Sequence, residues 1–310
     1  MNTMRVHLFG RFRVELDREE LTGLEAGKLQ VLLSYLLIHH SRSHSREALA
    51  SMLWGNQSTA QSRKYLRQTI WQINSALQNY VNDKDSVILA EQEWVQLNHD
   101  LDLWVDVLAF EEICVSLRGT PGEELSNDGV EALHTAAQIY AGDLLEGCYE
   151  DWCILERERL QNMYLVLLGK LLRCCESRQE YETGMAYAQK VLSYDRAHER
   201  THRQLMRLYY LAGNRTDALR QFQRCATALR EELDVEPSRL TMELYEEIRA
   251  DRLDDAPPAP DIIASNRSLG TATLPEVLTH LKRLQSLLDG IQGELKRDIA
   301  AVQVALGKPR

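Results

Sequence analysis

The chain lacks several features that would place it in a membrane, secreted or metal-binding class. No apolar run approaches the length of a membrane-spanning helix, and the first residues run into strand-like sequence without an apolar signal core. Its six cysteines include no pair at CxxC spacing, which argues against a zinc ribbon or a disulfide-rich secreted domain. We therefore expect a cytoplasmic protein without membrane contact, whose thiols are reduced and mostly buried.

What the chain has is the composition of a globular protein with two or three domains. Its 310 residues are 44% hydrophobic and carry a formal net charge of −10 at pH 7, which speaks against nucleic acid as a partner. The charge is uneven, however, because residues 1–98 hold 11 Lys and Arg against 10 Asp and Glu. A near-neutral first segment can bind DNA when its basic residues gather on one face.

A helical repeat accounts for most apolar positions between Asp195 and Pro237. The spacing predicts two helices joined by a turn at Gly213, and moving back by roughly 34 residues gives matching positions. The pattern resembles a tetratricopeptide repeat. The predicted inward positions are Leu171, Cys175, Gly184, Ala188, Val191, Leu205, Tyr209, Ala218, Phe222, Cys225 and Leu229.

The same segment contains the zinc-peptidase spacing HExxH, with imidazoles at His198 and His202. The repeat register places His202 on the inward edge of a helix, where a neighbouring helix covers it and leaves no open cleft. We interpret the pair as structural and predict a protein that is not an enzyme and needs no metal or cofactor. A zinc hydrolase at His198 and His202 is the less favoured alternative.

The sequence of the first domain predicts a small sheet, three helices and a hairpin. Alternating apolar residues on either side of Gly10 predict two antiparallel strands, and residues 86–89 and 94–97 predict a hairpin. Ser45 is the predicted cap of the second helix, and the third helix spans 62–77. The predicted buried side chains are Leu29, Leu32, Leu33, Leu36 and Leu37 in the first helix and Ala48, Leu49, Met52, Leu53 and Trp54 in the second.

The third helix carries the side chains suited to DNA. Leu66, Ile70, Ile73 and Leu77 fall within one narrow arc that must face the core, so Lys64, Gln68 and Trp71 point to solvent with Arg63 and Arg67 at the flanks. Basic and amide side chains can reach base edges or phosphates, and an exposed indole can pack on a sugar or a thymine methyl. A merely solvated helix face is the alternative interpretation.

The order of these elements resembles an OmpR-type winged helix. Several later motifs resemble the bacterial transcriptional activation domain, and together the two resemblances cover about residues 4–254, as in transcription factors of the Streptomyces-antibiotic-regulatory-protein (SARP) type. The motifs are MRVHLFG at 4–10, VDV at 105–107, YAGDLL at 140–145, YEDW at 149–152, ERERL at 156–160, RQLMRLY at 203–209 and REELDVEPS at 230–238.

The resemblance implies a DNA-binding transcription regulator, usually an activator. Its partners would be double-stranded DNA carrying direct repeats, RNA polymerase holoenzyme, and further copies of the chain in a homodimer or higher homo-oligomer. The carried-over base-reading residues are Lys64, Arg67, Gln68 and Trp71, and the DNA-backbone residues are Lys28, His44, Ser45, Arg46 and Arg63. The predicted wing departs from the family, because Ala90-Glu91-Gln92-Glu93 is acidic; Lys84 compensates in part.

The end of the chain lies outside this resemblance. Prolines within 254–260 predict an extended linker, and a capping box at Thr273 and Glu276 opens an amphipathic helix. Its apolar residues alternate in steps of four and three, which favours a self-associating coiled coil over docking on the same chain. The seam is Val277, Leu281, Leu284, Leu288, Ile291 and Leu295.

We therefore predict a mainly α protein with four parts. A winged helix of α+β type occupies 1–98, an all-α tetratricopeptide-like activation domain 99–254, a Pro-rich linker 255–272 and a C-terminal coiled-coil-like helix 273–310. The alternative function is a protein-interaction scaffold that uses the winged helix and the repeats without DNA, as the neutral first domain and the acidic wing would permit.

Overall fold

The computed structural model describes residues 4–16, 19–24, 27–78 and 86–253, all within one compact unit that spans Met1–Pro257. Three predictions lie outside these residues. They concern the compensating Lys84, the linker at 255–272, and the C-terminal helix with its seam from Val277 to Leu295.

The N-terminal sheet forms because apolar residues alternate along two short strands. Strand β1 (Met4–His7) pairs antiparallel with β2 (Arg13–Leu16), and Val6 and Val14 lie opposite each other in the core. Gly10 takes a φ of +75° between them, which a glycine adopts without strain. This hairpin confirms the sequence prediction.

Two further strands complete this sheet and were not predicted. Strand β3 (Glu19–Glu20) pairs with β2, and β7 (Leu103–Val105) lies parallel to β1, giving the order β3-β2-β1-β7. A two-residue strand is too short to show alternation, and a parallel partner almost 100 residues away leaves no local signal.

Three helices and a second sheet follow as expected. Helices α1 (Gly27–Ile38), α2 (Arg46–Trp54) and α3 (Thr59–Leu77) precede a hairpin of β5 (Ile88–Ala90) and β6 (Trp94–Leu97). A two-residue strand, β4 (His44–Ser45), pairs with β6 on its other side. This sheet, helices and hairpin together form a winged helix.

The packing of α1 and α2 confirms most of the predicted core. All five predicted leucines of α1 are buried, and the Ser45 hydroxyl accepts a hydrogen bond from the backbone N–H of Ala48 as the cap of α2. In α2, Leu49 and Leu53 are buried and Met52 and Trp54 are partly buried, but the prediction for Ala48 was wrong: it is exposed, and Ala50 is buried instead. Ala48 lies in the first turn of α2, where its N–H faces the cap.

The rest of the described chain is helical. The helices after the winged helix are α4 (Asp106–Ser116), α5 (Asn127–Ile139), α6 (Asp151–Ser177), α7 (Tyr181–Tyr194), α8 (Glu199–Leu211), α9 (Arg215–Leu233) and α10 (Arg239–Arg249). From α6 to α10 each helix packs on the next one along the chain. This succession is the predicted tetratricopeptide-like array.

The inward positions of the array confirm the repeat register. Ala188, Leu205, Cys225 and their equivalents are buried, while Tyr209 and Phe222 are partly buried at the edge. Gly184 lies where α7 crosses its neighbours, and a Cβ there would stand 3.0 Å from the Leu208 side chain. Only a very small residue fits that crossing.

One buried carboxylate joins the winged helix to the helical array. Asp106, at the start of α4, is 2% exposed. Its oxygens accept hydrogen bonds from the backbone N–H groups of Leu8 at 2.9 Å, Phe9 at 3.0 Å and Val107 at 2.7 Å. Burial raises the pKa of Asp106, and the three N–H donors oppose that rise by stabilising the charged form.

Replacing Asp106 should therefore destabilise the whole unit. The substitution Asp106→Ala leaves three buried N–H groups without an acceptor, so we expect the free energy of unfolding to fall by at least about 3 kcal/mol. Asp106→Asn keeps the side-chain volume and one acceptor oxygen, so its free energy of unfolding should fall less than that of Asp106→Ala.

Chemical denaturation of the full chain measures both changes. The matched control is Asp217→Ala, which removes an exposed carboxylate from a surface ion pair with Arg220. Its effect should stay within about 1 kcal/mol. Equal stability of the Asp106→Ala and Asp217→Ala proteins would contradict the role given to Asp106.

Candidate DNA-binding face

The orientation of α3 is set by its buried stripe. Leu66, Ile70, Ile73 and Leu77 are all buried against the core, as their spacing predicted. At the start of the helix the Ser62 hydroxyl donates to the Trp54 carbonyl at 2.9 Å. This bond fixes the angle between α2 and α3, so the opposite face of α3 has a defined direction.

A second polar contact ties α3 to the hairpin. The Asn74 amide donates to the Ile88 carbonyl at 3.0 Å and accepts from the Ile88 N–H at 2.9 Å. The helix and the wing are thereby held in a fixed relation. Sequence reasoning missed Asn74, although an asparagine in the middle of an amphipathic helix is a poor helix former and is a signal for such a contact.

The predicted base-reading side chains share the outer face of α3. Lys64, Arg67 and Gln68 are exposed, and the Trp71 side chain is 67% exposed. The exposed indole lies one turn from Gln68 and Arg67 and two turns from Lys64, and it is available for contact with a flat or apolar partner surface. The structure brings these four residues together.

Two of the residues predicted to contact the DNA backbone already contact other residues of this chain. The Lys28 ammonium lies 2.7 Å from the Glu150 carboxylate of the helical array. His44 is 7% exposed, its Nε2 lies 3.2 Å from the His39 carbonyl oxygen, and burial lowers its pKa. A neutral, buried imidazole is a weak phosphate ligand, so neither residue presents a free cation.

The other three predicted backbone residues keep donors that face solvent. The Ser45 hydroxyl accepts the cap bond and can still donate its own proton. Arg46 donates one guanidinium N–H to the Glu91 carbonyl at 2.7 Å, and its other guanidinium N–H groups stay available. Arg63 lies 3.4 Å from Glu47, but both side chains are well exposed, and such surface pairs are weak.

The hairpin tip is acidic and partly apolar. Glu91, Gln92 and Glu93 are exposed, and the Glu91 N–H donates to the Trp94 carbonyl to close the turn. Trp94 and Leu89 lie exposed on the same side of the hairpin. This tip repels phosphate and offers apolar surface, in agreement with its sequence.

The HExxH motif does not form a metal site. His198 is the N-cap of α8 with non-helical backbone angles, and its Nδ1 hydrogen-bonds Thr201. His202 is 4% exposed, and both of its ring nitrogens are engaged, one with the Gln221 amide at 2.7 Å and one with the Arg196 carbonyl at 2.9 Å. The predicted covering of His202 is confirmed. Within the described ranges, no group of three His, Cys, Asp or Glu side chains is placed to hold a metal ion.

Comparison with known families identifies the helical array. A family model described as the bacterial transcriptional activator domain matches residues 105–249. This part of the chain is similar to a bacterial transcriptional activator domain, as the sequence motifs predicted. With the winged helix before it, the order of domains resembles that of the SARP-type transcription regulators.

A solved structure of Mycobacterium tuberculosis EmbR in complex with a low-affinity phosphopeptide is similar in fold. It superposes with a TM-score of 0.69 at 17% sequence identity, covering 82% of this chain and 67% of the EmbR chain. No curated protein matched the chain. The likeness to EmbR therefore extends across both the winged helix and the activator domain, and at this identity it is a likeness of fold.

The activator domain begins where Asp106 accepts the N–H groups of Leu8 and Phe9, which directly follow β1. In the part of the chain that the structure describes, no helix is both long and apolar enough to cross a lipid bilayer.

The buried His202 should make the activator domain sensitive to acid. Burial lowers the pKa of His202 from 6.5, so below about pH 6.5 the unfolded chain takes up a proton that the folded chain does not. Stability is therefore lost as the pH falls through this range. We expect His202→Ala to lower the free energy of unfolding at neutral pH by about 1–3 kcal/mol, because Gln221 and the Arg196 carbonyl lose their partner.

Denaturation curves between about pH 7 and about pH 5 measure both effects. The loss of stability with falling pH should be smaller in His202→Ala than in the parent protein. An unchanged pH slope would show that His202 does not titrate in the way its burial requires.

Proposed function

We propose that this chain is a sequence-specific DNA-binding transcription regulator that works in the cytoplasm. It reads direct repeats near a promoter through α3 and contacts RNA polymerase holoenzyme to activate transcription. The single observation that carries the DNA-binding step is the outer face of α3, where Lys64, Arg67, Gln68 and Trp71 are exposed together on a helix with a fixed orientation.

The local charge of α3 supports DNA as its partner. Helix α3 contains Arg63, Lys64 and Arg67 and no acidic residue, although the whole chain is acidic. Phosphate attraction falls off within about a Debye length of 8–10 Å, so the charge of this face matters more than the net charge. A cationic helix face can therefore approach a duplex while the acidic helical array lies farther away.

Each side chain of the face has a distinct proposed role. Arg67 and Lys64 suit guanine edges or phosphates, Gln68 can form two hydrogen bonds with adenine, and Trp71 packs on sugar or a thymine methyl. Ser45, Arg46 and Arg63 would contact the DNA backbone and position the helix. We propose no DNA contact for Lys28 or His44, because each already contacts another residue of this chain.

Contacts with protein partners are proposed for the activator domain. Several large apolar side chains on its surface are exposed, including Leu155 and Val166 on α6 and Leu240 on α10. Exposed apolar groups of this size favour protein contact. We assign this surface to RNA polymerase holoenzyme and to further copies of the chain in a homodimer or higher homo-oligomer.

Selection of bound sequences from a random duplex pool tests the DNA-binding proposal. The full chain should enrich a direct-repeat motif, and a Lys64→Ala, Arg67→Ala, Gln68→Ala variant should not. Removing the two cations should also reduce the slope of log affinity against log salt concentration by about 2.

The matched control removes two cations and one amide from the activator domain. Arg239→Ala, Arg249→Ala, Gln223→Ala takes exposed side chains from α9 and α10 and should enrich the same motif as the parent. If the parent enriches no sequence at low salt, the proposal is wrong. The exposed apolar side chains of the hairpin and the array would then favour the protein-interaction scaffold.

The acidic hairpin tip should weaken DNA binding by the parent protein. Glu91→Lys, Glu93→Lys places two cations where the tip of a wing meets the minor groove. We expect tighter non-specific binding and a salt slope steeper by about 1 for each new phosphate contact.

Fluorescence anisotropy with a labelled duplex at several salt concentrations measures this change. The control Glu243→Lys, Glu246→Lys makes the same charge change on α10 and should have a smaller effect. Equal effects of the two variants would place the hairpin tip away from the DNA.

A further inference from the structure

A short segment of the activator domain is hydrogen-bonded to the winged helix along its backbone. We call residues 143–150 the joint loop. The Gly10 N–H donates to the Asp143 carbonyl at 2.8 Å, the Leu145 N–H donates to the Leu8 carbonyl at 2.8 Å, and the Glu146 N–H donates to the Gly10 carbonyl at 2.9 Å. Any chemistry on the joint loop acts directly at the contact between the two domains.

Two thiols meet at the end of the joint loop. Cys148 is partly exposed in the joint loop, beside Tyr149, which is 81% exposed. Cys153 lies in the first turn of α6 and is 0% exposed. The Cys153 Sγ lies 3.9 Å from the Leu144 carbonyl oxygen of the joint loop, and each of the two thiols shifts the pKa of the other.

One guanidinium holds both cysteines in place. Arg157 Nη2 donates to the Cys148 carbonyl at 2.9 Å and lies 3.8 Å from Cys153 Sγ. The same side chain donates to the carbonyls of Leu144 and Leu145. Arg157 therefore fixes the joint loop on α6 and brings a positive charge next to the sulfur pair.

The two thiols differ in pKa, as the attacking and resolving sulfurs of an oxidisable pair do. Interaction with the Cys153 thiol lowers the pKa of the Cys148 thiol, with further help from a backbone N–H and from Arg157, against the opposing effect of burial. The same interaction, together with burial, raises the pKa of Cys153. Cys114, which is also half-buried, has no such partner, and burial raises its pKa to about 12.

We propose that Cys148 and Cys153 are a thiol pair that hydrogen peroxide oxidises reversibly to a disulfide, with Cys148 as the attacking sulfur. The accessible sulfur and its buried partner supply the attacking and resolving groups of such a pair. In proteins kept in a reducing compartment, disulfides of this kind are usually transient or redox-sensing. The inference does not depend on DNA binding.

The chemistry balances with peroxide as the sole oxidant. The Cys148 thiolate attacks one peroxide oxygen, the S–O bond forms as the O–O bond breaks, and the leaving hydroxide takes a proton to become water. The Cys153 sulfur then attacks Cys148, the S–S bond forms as the S–O bond breaks, and the hydroxyl leaves as water with the Cys153 proton. Two thiols are oxidised and one peroxide is reduced to two waters, and an added dithiol reverses the change.

Peptide mapping of the full chain under non-reducing conditions tests the proposal. After brief treatment with dilute hydrogen peroxide, the Cys148 and Cys153 peptides should be joined, and reduction should separate them. The Cys153→Ser variant should stop at a sulfenic acid on Cys148, which dimedone traps. Cys148→Ser should yield neither product.

The control is Cys114→Ser, which should form the same disulfide as the parent. In the reduced parent, a thiol alkylating agent at neutral pH should label Cys148 at least about tenfold faster than Cys114. This labelling uses the unaltered chain, so it remains informative if a serine variant fails to fold. Equal labelling of Cys148 and Cys114, or a peroxide-induced disulfide that joins other cysteines, would overturn the proposal.

Discussion

The carboxylate of Asp106 is the contact on which the arrangement of the two domains depends. It accepts three buried N–H groups, two of them from residues that directly follow the first strand, at the point where the first helix of the activator domain begins. A charged acceptor with several backbone donors is strong, and leaving those donors unpaired in an apolar core is costly. The parallel pairing of β7 with β1 and the bonds of the joint loop then follow from the same close approach.

Two side-chain contacts within the winged helix give the outer face of α3 a defined orientation. Asn74 locks α3 to the hairpin and Ser62 locks it to α2, so Lys64 and Trp71 project from a supported helix and not from a mobile loop. The proposed thiol pair lies on the other side of the same junction, where Arg157 holds the joint loop. The proposed DNA-binding face and the proposed thiol pair are therefore separate sites.

Local periodicity predicted most of the elements, because the side chains that define one helix or hairpin are close in sequence. The leucines of α1, the cap at Ser45 and the repeat register through Leu205 were all confirmed. The outward direction of Lys64 followed from the buried arc of its own helix. The strands β3 and β7 were missed, since their pairing depends on distant partners and two or three residues carry no period.

The sequence by itself determined the helical and strand segments, the family motifs and the amphipathic face of α3, because each depends on residues within a few turns of one another. Only the tertiary structure decided which polar side chains are free. Lys28 pairs with Glu150, which lies 122 positions away, and His44 is buried against a carbonyl, so neither presents a cation to phosphate. It also decided that Cys148 and Cys153 meet under one guanidinium. Such contacts depend on how distant segments pack, and no local spacing records them.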